Sequence, residues 1–425
     1  MKKRTYRALD VKHIGPEQIA DWATKSAGRV VFGNDAAKDL WLGAIVNGAG
    51  EVLRTVKWDV IDDRPRVLEM LDDLRRRDVK VEIGLEPTGV YADAMAAQYR
   101  KAGFPVYRVS CKHTHDYAEI YDAVPSSHDA KSAAMVAELV LNGKASEWEM
   151  PDERQRDLKA AARRLDWETE EETRHGNRIE ALLARHWPEL PRCIDITNAT
   201  PLVLLQKYGS PANVARDQVN ARALMRKTGK NFLAEETIGS ILEAARNTTG
   251  LPMSSQELAL MQSLAKNARE ATQRVAAARA ILEGLAADID SVRRTGAVVG
   301  MATAAVFVAM LGDFNRYPSP RALLKAAGLN LKVRSSGKRT GQLAITKRGP
   351  GVVRRWLFMA TLRWIKTEPI ARAWYQSKLT RNGGITLKAI TALMRKLLAG
   401  LYHVARGEEL ILSKLFDLSR LDISK

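Results

Sequence analysis

The sequence predicts an α/β domain followed by a mostly helical, basic region. Short runs of β-branched and aromatic residues alternate with helical periods over about residues 29–148. Dense charge with helical spacing follows, and from Arg293 onward the pattern is helical and strongly basic. With 425 residues, the chain has room for about two or three domains. We expect an N-terminal extension over 1–28, an α/β domain over 29–148, a helical coiled-coil linker over 149–292 and a C-terminal domain over 293–425.

The predicted α/β domain begins with three antiparallel strands and continues with helices that alternate with strands. The three strands are RVVFGND and the two arms of a hairpin, LWLGAIVNGAGEVLRTVKW, which has Asn-Gly at its turn. PRVLEMLDDLRRR predicts a helix, VKVEIGLEPTG a strand that stops at Pro87, and ADAMAAQYRKAG a helix closed by Gly103. FPVYRVS predicts a further strand, and HDAKSAAMVAELVLNG predicts a further helix.

Two long helical patterns lie between the predicted domains. The first, over about 151–187, is dense in charge, which is typical of a long exposed helix or a coiled-coil arm. The second, over about 254–285, has apolar residues at helical spacing. The two helices could pair as an antiparallel arm, and the alternative is two helices packed on a globular core.

The overall charge predicts a polyanionic partner. The net charge is +18, which favours nucleic acid or an anionic membrane surface. The longest apolar run, Ala297 to Leu311, has about 15 residues, fewer than the roughly 18 of a spanning helix. No apolar leader follows MKKRTYRALD, and Cys111 and Cys193 are too far apart for a zinc motif. We therefore expect a reduced, cytoplasmic setting, with nucleic acid as the partner and no membrane.

The strongest local charge bias lies in the C-terminal region. Between Phe314 and Thr367 there are thirteen Lys and Arg residues and no Asp or Glu. An ordinary solvated face mixes both signs, so this run predicts phosphate contacts. The residues predicted to bind nucleic acid are Arg334, Lys338, Arg339, Lys347, Arg348, Arg354 and Arg355.

Three acidic residues occupy positions that can converge on one edge of a sheet. Asp35 ends the first strand, Glu86 ends a later strand, and Asp129 opens a helix. Ionised carboxylates placed in this way can bind Mg²⁺, and a pair of such ions activates the attacking oxygen and stabilises the leaving oxygen in phosphodiester chemistry. The alternative is that each residue forms a turn or caps a helix. A fourth ligand is less defined: Asp122 lies seven residues before Asp129, with Ser126 and His128 nearer.

Two adjacent serines lie inside the basic run, in VRSSGKRTG. A serine hydroxyl is a poor nucleophile unless a base or a metal lowers its cost of deprotonation. No histidine is near Ser335 or Ser336, so activation has to come from the predicted carboxylate site. The alternative is a phosphate-binding loop whose serines are incidental.

These motifs together resemble the DEDD transposases of the IS-one-ten insertion-sequence family, which are regarded as bridge-RNA-guided recombinases. The resemblance covers about Val30 to Arg406. Its N-terminal landmarks are GNDAAKD, LEPTGVY and HDAKSAAMVAEL. Its C-terminal landmarks are TGAVVGMATAAVFVAMLGDF, VRSSGKRTGQLAITKRG and VVRRWLFMATLRW.

The resemblance implies a RuvC-like ribonuclease H fold whose DEDD carboxylates bind Mg²⁺. Asp35, Glu86 and Asp129 then match three of the four ligands. The remaining position falls on Ser126, and Asp122 is the candidate substitute.

The same resemblance implies that a serine before a glycine attacks DNA and forms a phosphoserine intermediate. Here that serine is Ser336, with Ser335 as second choice. The implied partners are donor DNA, target DNA and a bridge RNA in the bacterial cytoplasm. The helical arm then serves a homo-oligomer, a dimer or a tetramer.

Three hypotheses follow from the sequence. The first is a recombinase that cuts and rejoins DNA. The second is a Holliday-junction-type endonuclease, which needs only the carboxylates. The third is a nucleic-acid-binding protein with a decayed site, which the serine at position 126 suggests.

Overall fold

A computed structural model of the chain describes residues 7–87, 89–124, 128–336 and 339–421, without the side chains of 333–343. The described part divides into two compact units, Met1–Met150 and Pro151–Lys425. The first unit is built on a mixed sheet, and the second is mostly helical. The predicted α/β domain and the predicted helical C-terminal region are both confirmed at this level.

The first unit contains seven strands and five α-helices among its described residues. In chain order they are β1 (Leu9–Asp10), α1 (Pro16–Lys25), β2 (Arg29–Asp35), β3 (Leu40–Asn47), β4 (Val52–Asp59), α2 (Arg64–Arg76), β5 (Lys80–Leu85), α3 (Tyr91–Lys101), β6 (Val106–Arg108), α4 (Cys111–Asp122), α5 (Asp129–Leu141) and β7 (Ser146–Glu147). A short 3₁₀ turn spans Val11–His13.

The strands form one sheet in the order β1-β4-β3-β2-β5-β6-β7. β2, β3 and β4 are an antiparallel meander, whereas β5 pairs in parallel with β2 and β6 in parallel with β5. Asn34 of β2 lies opposite Leu85 of β5. Because parallel strands end at the same edge, the residues that follow these two positions, Asp35 and Glu86, emerge side by side.

Helices cover both faces of the sheet. α5 packs on one face against Val31, Ala44 and Val46, and α1, α2 and α3 cover the face that carries Phe32 and Trp58. The approach of α5 depends on Gly33, since a Cβ atom there would collide with the carbonyl oxygen of Ala133. This close contact holds the first residue of α5 at the sheet edge where β2 ends.

The N-terminal segment differs from its prediction as an extension. Leu9 and Asp10 pair in parallel with β4, which extends the sheet by one short strand. Val11, Ile19 and Trp22 are buried in the same core as the central strands. Ile19 and Trp22 are three positions apart on α1, so they share the helix face that packs on the sheet.

The second unit contains fourteen α-helices or helical turns and one β-hairpin among its described residues. They are α6 (Glu153–His186), α7 (Leu190–Cys193), α8 (Ala199–Tyr208), α9 (Pro211–Arg216), α10 (Gln218–Gly229), α11 (Glu235–Arg246), α12 (Ser255–Ala286), α13 (Asp290–Val299), α14 (Met301–Leu311), α15 (Pro320–Ala326), β8 (Leu331–Ser336), β9 (Arg339–Ile345), α16 (Gly351–Thr367), α17 (Pro369–Arg381), α18 (Thr386–Ala405) and α19 (Leu412–Leu415). Single 3₁₀ turns span Lys230–Phe232, Phe314–Arg316 and Leu418–Arg420.

The two long helices, α6 and α12, pair in antiparallel fashion. Glu168 bonds to Arg274 at 2.8 Å, and Arg154 near the start of α6 pairs with Asp288 just beyond the end of α12. One half of this pair packs on α7 to α11, and the other half shares a core with the C-terminal helices. The described packing therefore shows no domain boundary near residue 292, because apolar residues before and after this position share one core.

The longest apolar run is the centre of that C-terminal core. α14 is buried almost all round, with Ala304, Val306 and Phe307 fully enclosed. A helix that is apolar on every side is expected in the middle of a helical bundle. Within the described residues, no helix combines the length and apolarity needed to cross a membrane.

Candidate active site

Three of the predicted carboxylates line one open pocket of about 640 Å³. Asp35 is the last residue of β2, Glu86 follows β5, and Asp129 is the first residue of α5. The parallel pairing of β2 with β5 brings the first two together, and the packing of α5 on Gly33 adds the third. The wall opposite the sheet comes from α4, through Cys111 and Thr114.

The carboxylates act on one another electrostatically. The pKa of Asp35 is raised to about 7, chiefly by burial and then by the negative charges of Asp129 and Glu86. A hydrogen bond from the Ser132 hydroxyl acts in the opposite direction, because it favours the ionised form. Near neutral pH, Asp35 can therefore exchange a proton or bind a cation that neutralises the cluster.

Glu86 is held by a side chain of α4. The Thr114 hydroxyl donates to Glu86 Oε2 at 2.7 Å, and Thr114 is only 4% exposed. The Cys111 thiol also hydrogen-bonds to the Glu86 carboxylate, and burial raises the pKa of that thiol. Such contacts fix the orientation of a functional carboxylate.

The donor set suits a hard divalent cation. Carboxylate oxygens are the ligands that Mg²⁺ prefers, and Mg²⁺ usually keeps several waters while one or two carboxylates bind it. Within the part of the chain that the structure describes, no three His, Cys, Asp or Glu side chains gather closely enough to enclose an ion. The open pocket with its mutually repelling carboxylates fits a cation that keeps part of its hydration shell.

Asp122 has a different environment from the other three. It ends α4, and its carboxylate accepts a hydrogen bond from Lys131 Nζ at 2.6 Å and another from the Val124 N–H at 3.1 Å. Lys131 is buried and also donates to the Val124 carbonyl oxygen at 2.6 Å. Asp122 is not among the described residues that line the carboxylate pocket. Its contacts instead tie the end of α4 to the first turn of α5.

Ser126 and His128 are the other two candidates for the fourth ligand. His128 caps α5, since its Nδ1 accepts the Lys131 N–H at 3.2 Å. Ser126 lies outside the described residues.

The predicted serines belong to the β8–β9 hairpin. The backbone of Ser336 pairs with Arg339 across the hairpin, and Ser335 is the residue before it. The side chains of Arg334, Ser335, Ser336 and Arg339 lie outside the described residues, as does all of Lys338. The nucleophile therefore stays a prediction.

The remaining basic residues fall into two pairs. Lys347 and Arg348 are exposed at the base of the hairpin. Arg354 instead donates to the carbonyl oxygen of Gly349 at 2.8 Å, and Arg355 pairs with Asp166 and Glu170 of α6. Arg354 and Arg355 thus have structural contacts that spacing in the sequence does not reveal, since Asp166 lies far away along the chain.

Sequence reasoning missed Thr114 and Ser132. Ser132 had a usable signal, because it lies three residues after Asp129 and so shares that face of α5. Thr114 had none, because only the packing of α4 brings its hydroxyl to Glu86.

Comparisons with known proteins match two regions of the chain. The family model of the IS110 DEDD transposases matches residues 32–188, the range that contains Asp35, Glu86 and Asp129. A second model, described as the transposase IS116/IS110/IS902 family, matches residues 294–376, which include the serine hairpin.

Two relatives align with most of the chain. The 44.8 kDa protein of insertion element IS116 from Streptomyces clavuligerus is 26% identical over 391 residues, covering 90% of this chain and 96% of the relative. The 43.6 kDa protein of insertion element IS110 from Streptomyces coelicolor is 24% identical over 392 residues, covering 89% of this chain and 94% of the relative. With both family models matched in order, the chain belongs to the IS110 family of DEDD transposases.

Proposed function

We propose that this transposase cuts and rejoins DNA through a serine nucleophile, assisted by a divalent cation in the carboxylate pocket. The observation that carries the proposal is the convergence of Asp35, Glu86 and Asp129 in one pocket at the carboxyl ends of parallel strands. The strand order β4-β3-β2-β5-β6, with β3 antiparallel to its neighbours, supports a RuvC-like ribonuclease H fold for this unit.

The carboxylates Asp35, Glu86 and Asp129 would hold Mg²⁺. When bound there, the ion supplies positive charge to a phosphodiester and to the oxygens that attack and leave. The chain's own residues prepare the site: Thr114 orients Glu86, and the Ser132 hydroxyl favours the ionised form of Asp35. Without a cation the pKa of Asp35 is about 7, so binding of the cation near neutral pH would release a proton from Asp35.

The serine step conserves the number of phosphodiester bonds. The Ser336 hydroxyl gives up its proton and its oxygen forms a bond to the DNA phosphorus. The bond from phosphorus to a deoxyribose oxygen breaks, and that leaving oxygen takes up a proton and becomes a hydroxyl. A hydroxyl of the exchanged strand then attacks the phosphoserine and releases the serine. No outside energy source is needed, because each phosphoester bond that breaks is replaced by another.

The basic residues would bind nucleic acid, and the long helices α6 and α12 would join copies of the chain. The net charge of +18 supports binding of donor DNA, target DNA and a bridge RNA. The antiparallel pair of α6 and α12 offers a rigid element through which two or four copies of the chain could associate.

The test is a set of variants assayed with the RNA, DNA and Mg²⁺ and resolved under denaturing conditions. We expect wild type to form a covalent protein–DNA adduct, and Ser336→Ala to lose both the adduct and strand cleavage. Ser335→Ala is the matched control and should keep both. Cleavage that survives Ser336→Ala would favour the endonuclease. The absence of both adduct and cleavage with the wild-type chain would favour the nucleic-acid-binding protein with a decayed site.

A further inference from the structure

A second pocket, of about 310 Å³, lies at the same edge of the sheet as the carboxylates. We call it the side pocket, and its walls include Lys38, Trp41, Ile61, Arg64, Val90 and Tyr91. These residues lie in or beside the segments that follow β2, β4 and β5, whose carboxyl ends all meet at this edge. In open α/β sheets this edge is where ligands bind.

The two pockets share the same chain segments. GNDAAKD contributes Asp35 to the carboxylate pocket and Lys38 to the side pocket. EPTGVY contributes Glu86 to the first and Tyr91 to the second. The two pockets therefore lie at one edge of the sheet, on its opposite faces, and a DNA strand that crosses this edge meets both.

The lining of the side pocket is apolar and aromatic. Trp41 is fully buried, and its Nε1 donates to the Ala37 carbonyl oxygen at 2.8 Å, which fixes the ring. Ile61, Val90 and Tyr91 are 75%, 68% and 45% exposed around it. Large apolar side chains exposed side by side mark a binding surface.

The charge of the side pocket fits a nucleotide. Lys38 and Arg64 line it, and no acidic residue does so within the described residues. An aromatic ring beside cations is the combination that binds an unpaired base together with its phosphates. Enzymes that act on DNA commonly hold a base extruded from the stack between aromatic and apolar side chains.

We propose that the side pocket binds one unpaired nucleobase of the DNA strand that is processed at the carboxylate pocket. The base stacks against Tyr91 and packs on Ile61, while Lys38 and Arg64 contact the adjoining phosphates. This inference rests on the proposed function, since it requires DNA at the carboxylates.

The test compares two single-stranded DNA probes of about 12 nucleotides, one of thymidines and one abasic with the same phosphates. The full-length chain should bind the thymidine probe about tenfold more tightly, measured by fluorescence anisotropy. Tyr91→Ala should abolish that preference, and Tyr91→Phe should keep it. Phe232→Ala, which removes an aromatic side chain that is 97% exposed in the other unit, is the matched control and should keep the preference.

If the chain bound both probes with equal affinity and binding still weakened with added salt, the side pocket would not bind a base. The proposed function would be unaffected. Failure to bind either probe at low salt would overturn both. A base preference confined to a uridine RNA probe would overturn the assignment to DNA.

A second measurement needs no variant. A 5-iodouracil probe, irradiated on the wild-type chain, should cross-link within the peptide that contains Tyr91 or the one that contains Ile61. Cross-links confined to other peptides would overturn the inference.

Discussion

At the scale of single residues, Asp35 makes protein stability depend on pH. Its pKa of about 7, against an ordinary value of 3.8, means that the folded state holds the proton more tightly than the unfolded state. The contribution of Asp35 to stability is therefore complete at low pH and is lost as pH rises from about 4 to about 7.

Asp35→Asn should remove this pH dependence. At pH about 8 and without divalent cations, we expect the variant to exceed wild type in unfolding free energy by on the order of 1 kcal/mol, discounted because the group is partly exposed. Urea unfolding in the presence of a chelator, at pH about 5 and at pH about 8, measures the unfolding free energy of both proteins. Equal pH dependence in the two proteins would show that Asp35 is not the group that titrates.

Thr114 sets the position of Glu86. Thr114→Val keeps the shape of the side chain but removes the hydroxyl that donates to Glu86 Oε2 at 2.7 Å. We expect the Mg²⁺ concentration for half-maximal cleavage to rise about tenfold or more, and Thr114→Ser to restore it. An unchanged Mg²⁺ titration would contradict a positioning role, even if the variant were less stable.

At the scale of elements, the contact between α4 and α5 depends on a buried ion pair. Asp122→Asn removes the negative charge that faces Lys131, whose side chain is 2% exposed. Removing one partner of a buried pair costs about 3 kcal/mol or more, so we expect a large loss of stability. The Mg²⁺ titration should be unchanged in the folded variant.

The surface pair Lys25–Asp21 is the matched control for this change, because both side chains are largely exposed. Its loss should cost less than about 1 kcal/mol. If Asp122→Asn instead weakened Mg²⁺ binding and left stability unchanged, the prediction of Asp122 as the fourth ligand would be upheld.

Helices and strands could be predicted where a local sequence pattern indicates them. The strand that ends at Asp35 and the strand that Glu86 follows carry β-branched runs that stop at a turn. The long helices α6 and α12 carry long helical periods. The position of Lys131 was not predictable, because a lysine two residues after Asp129 suggests a surface charge. Only the tertiary fold shows that its ammonium group is buried against Asp122.

At the scale of the whole molecule, the basic charge should make DNA affinity depend steeply on salt. The exposed Lys347 and Arg348 and the paired Arg355 provide a matched comparison. Lys347→Ala and Arg348→Ala should each reduce the slope of log affinity against log salt by about one. Arg355→Ala should lower the melting temperature and leave the slope nearly unchanged, since Arg355 pairs with Asp166 and Glu170.

The opposite result for Arg355→Ala would contradict this prediction. If Arg355→Ala reduced the slope as much as Lys347→Ala, Arg355 would contact phosphate despite its ion pairs.

The composition of the chain predicted a polyanionic partner, but it could not distinguish arginines that face solvent from arginines that join helices. Asp166 and Arg355 meet only because α6 packs on α16.

The covalent intermediate is the central claim of the proposed mechanism. The most direct measurement isolates the adduct that the wild-type chain forms with DNA, digests both components, and locates the nucleotide-bearing peptide by mass spectrometry. We predict a single modified residue, Ser336, in the β8–β9 hairpin. A nucleotide attached to any other residue, or DNA that is cut and rejoined without any attached protein, would contradict the mechanism.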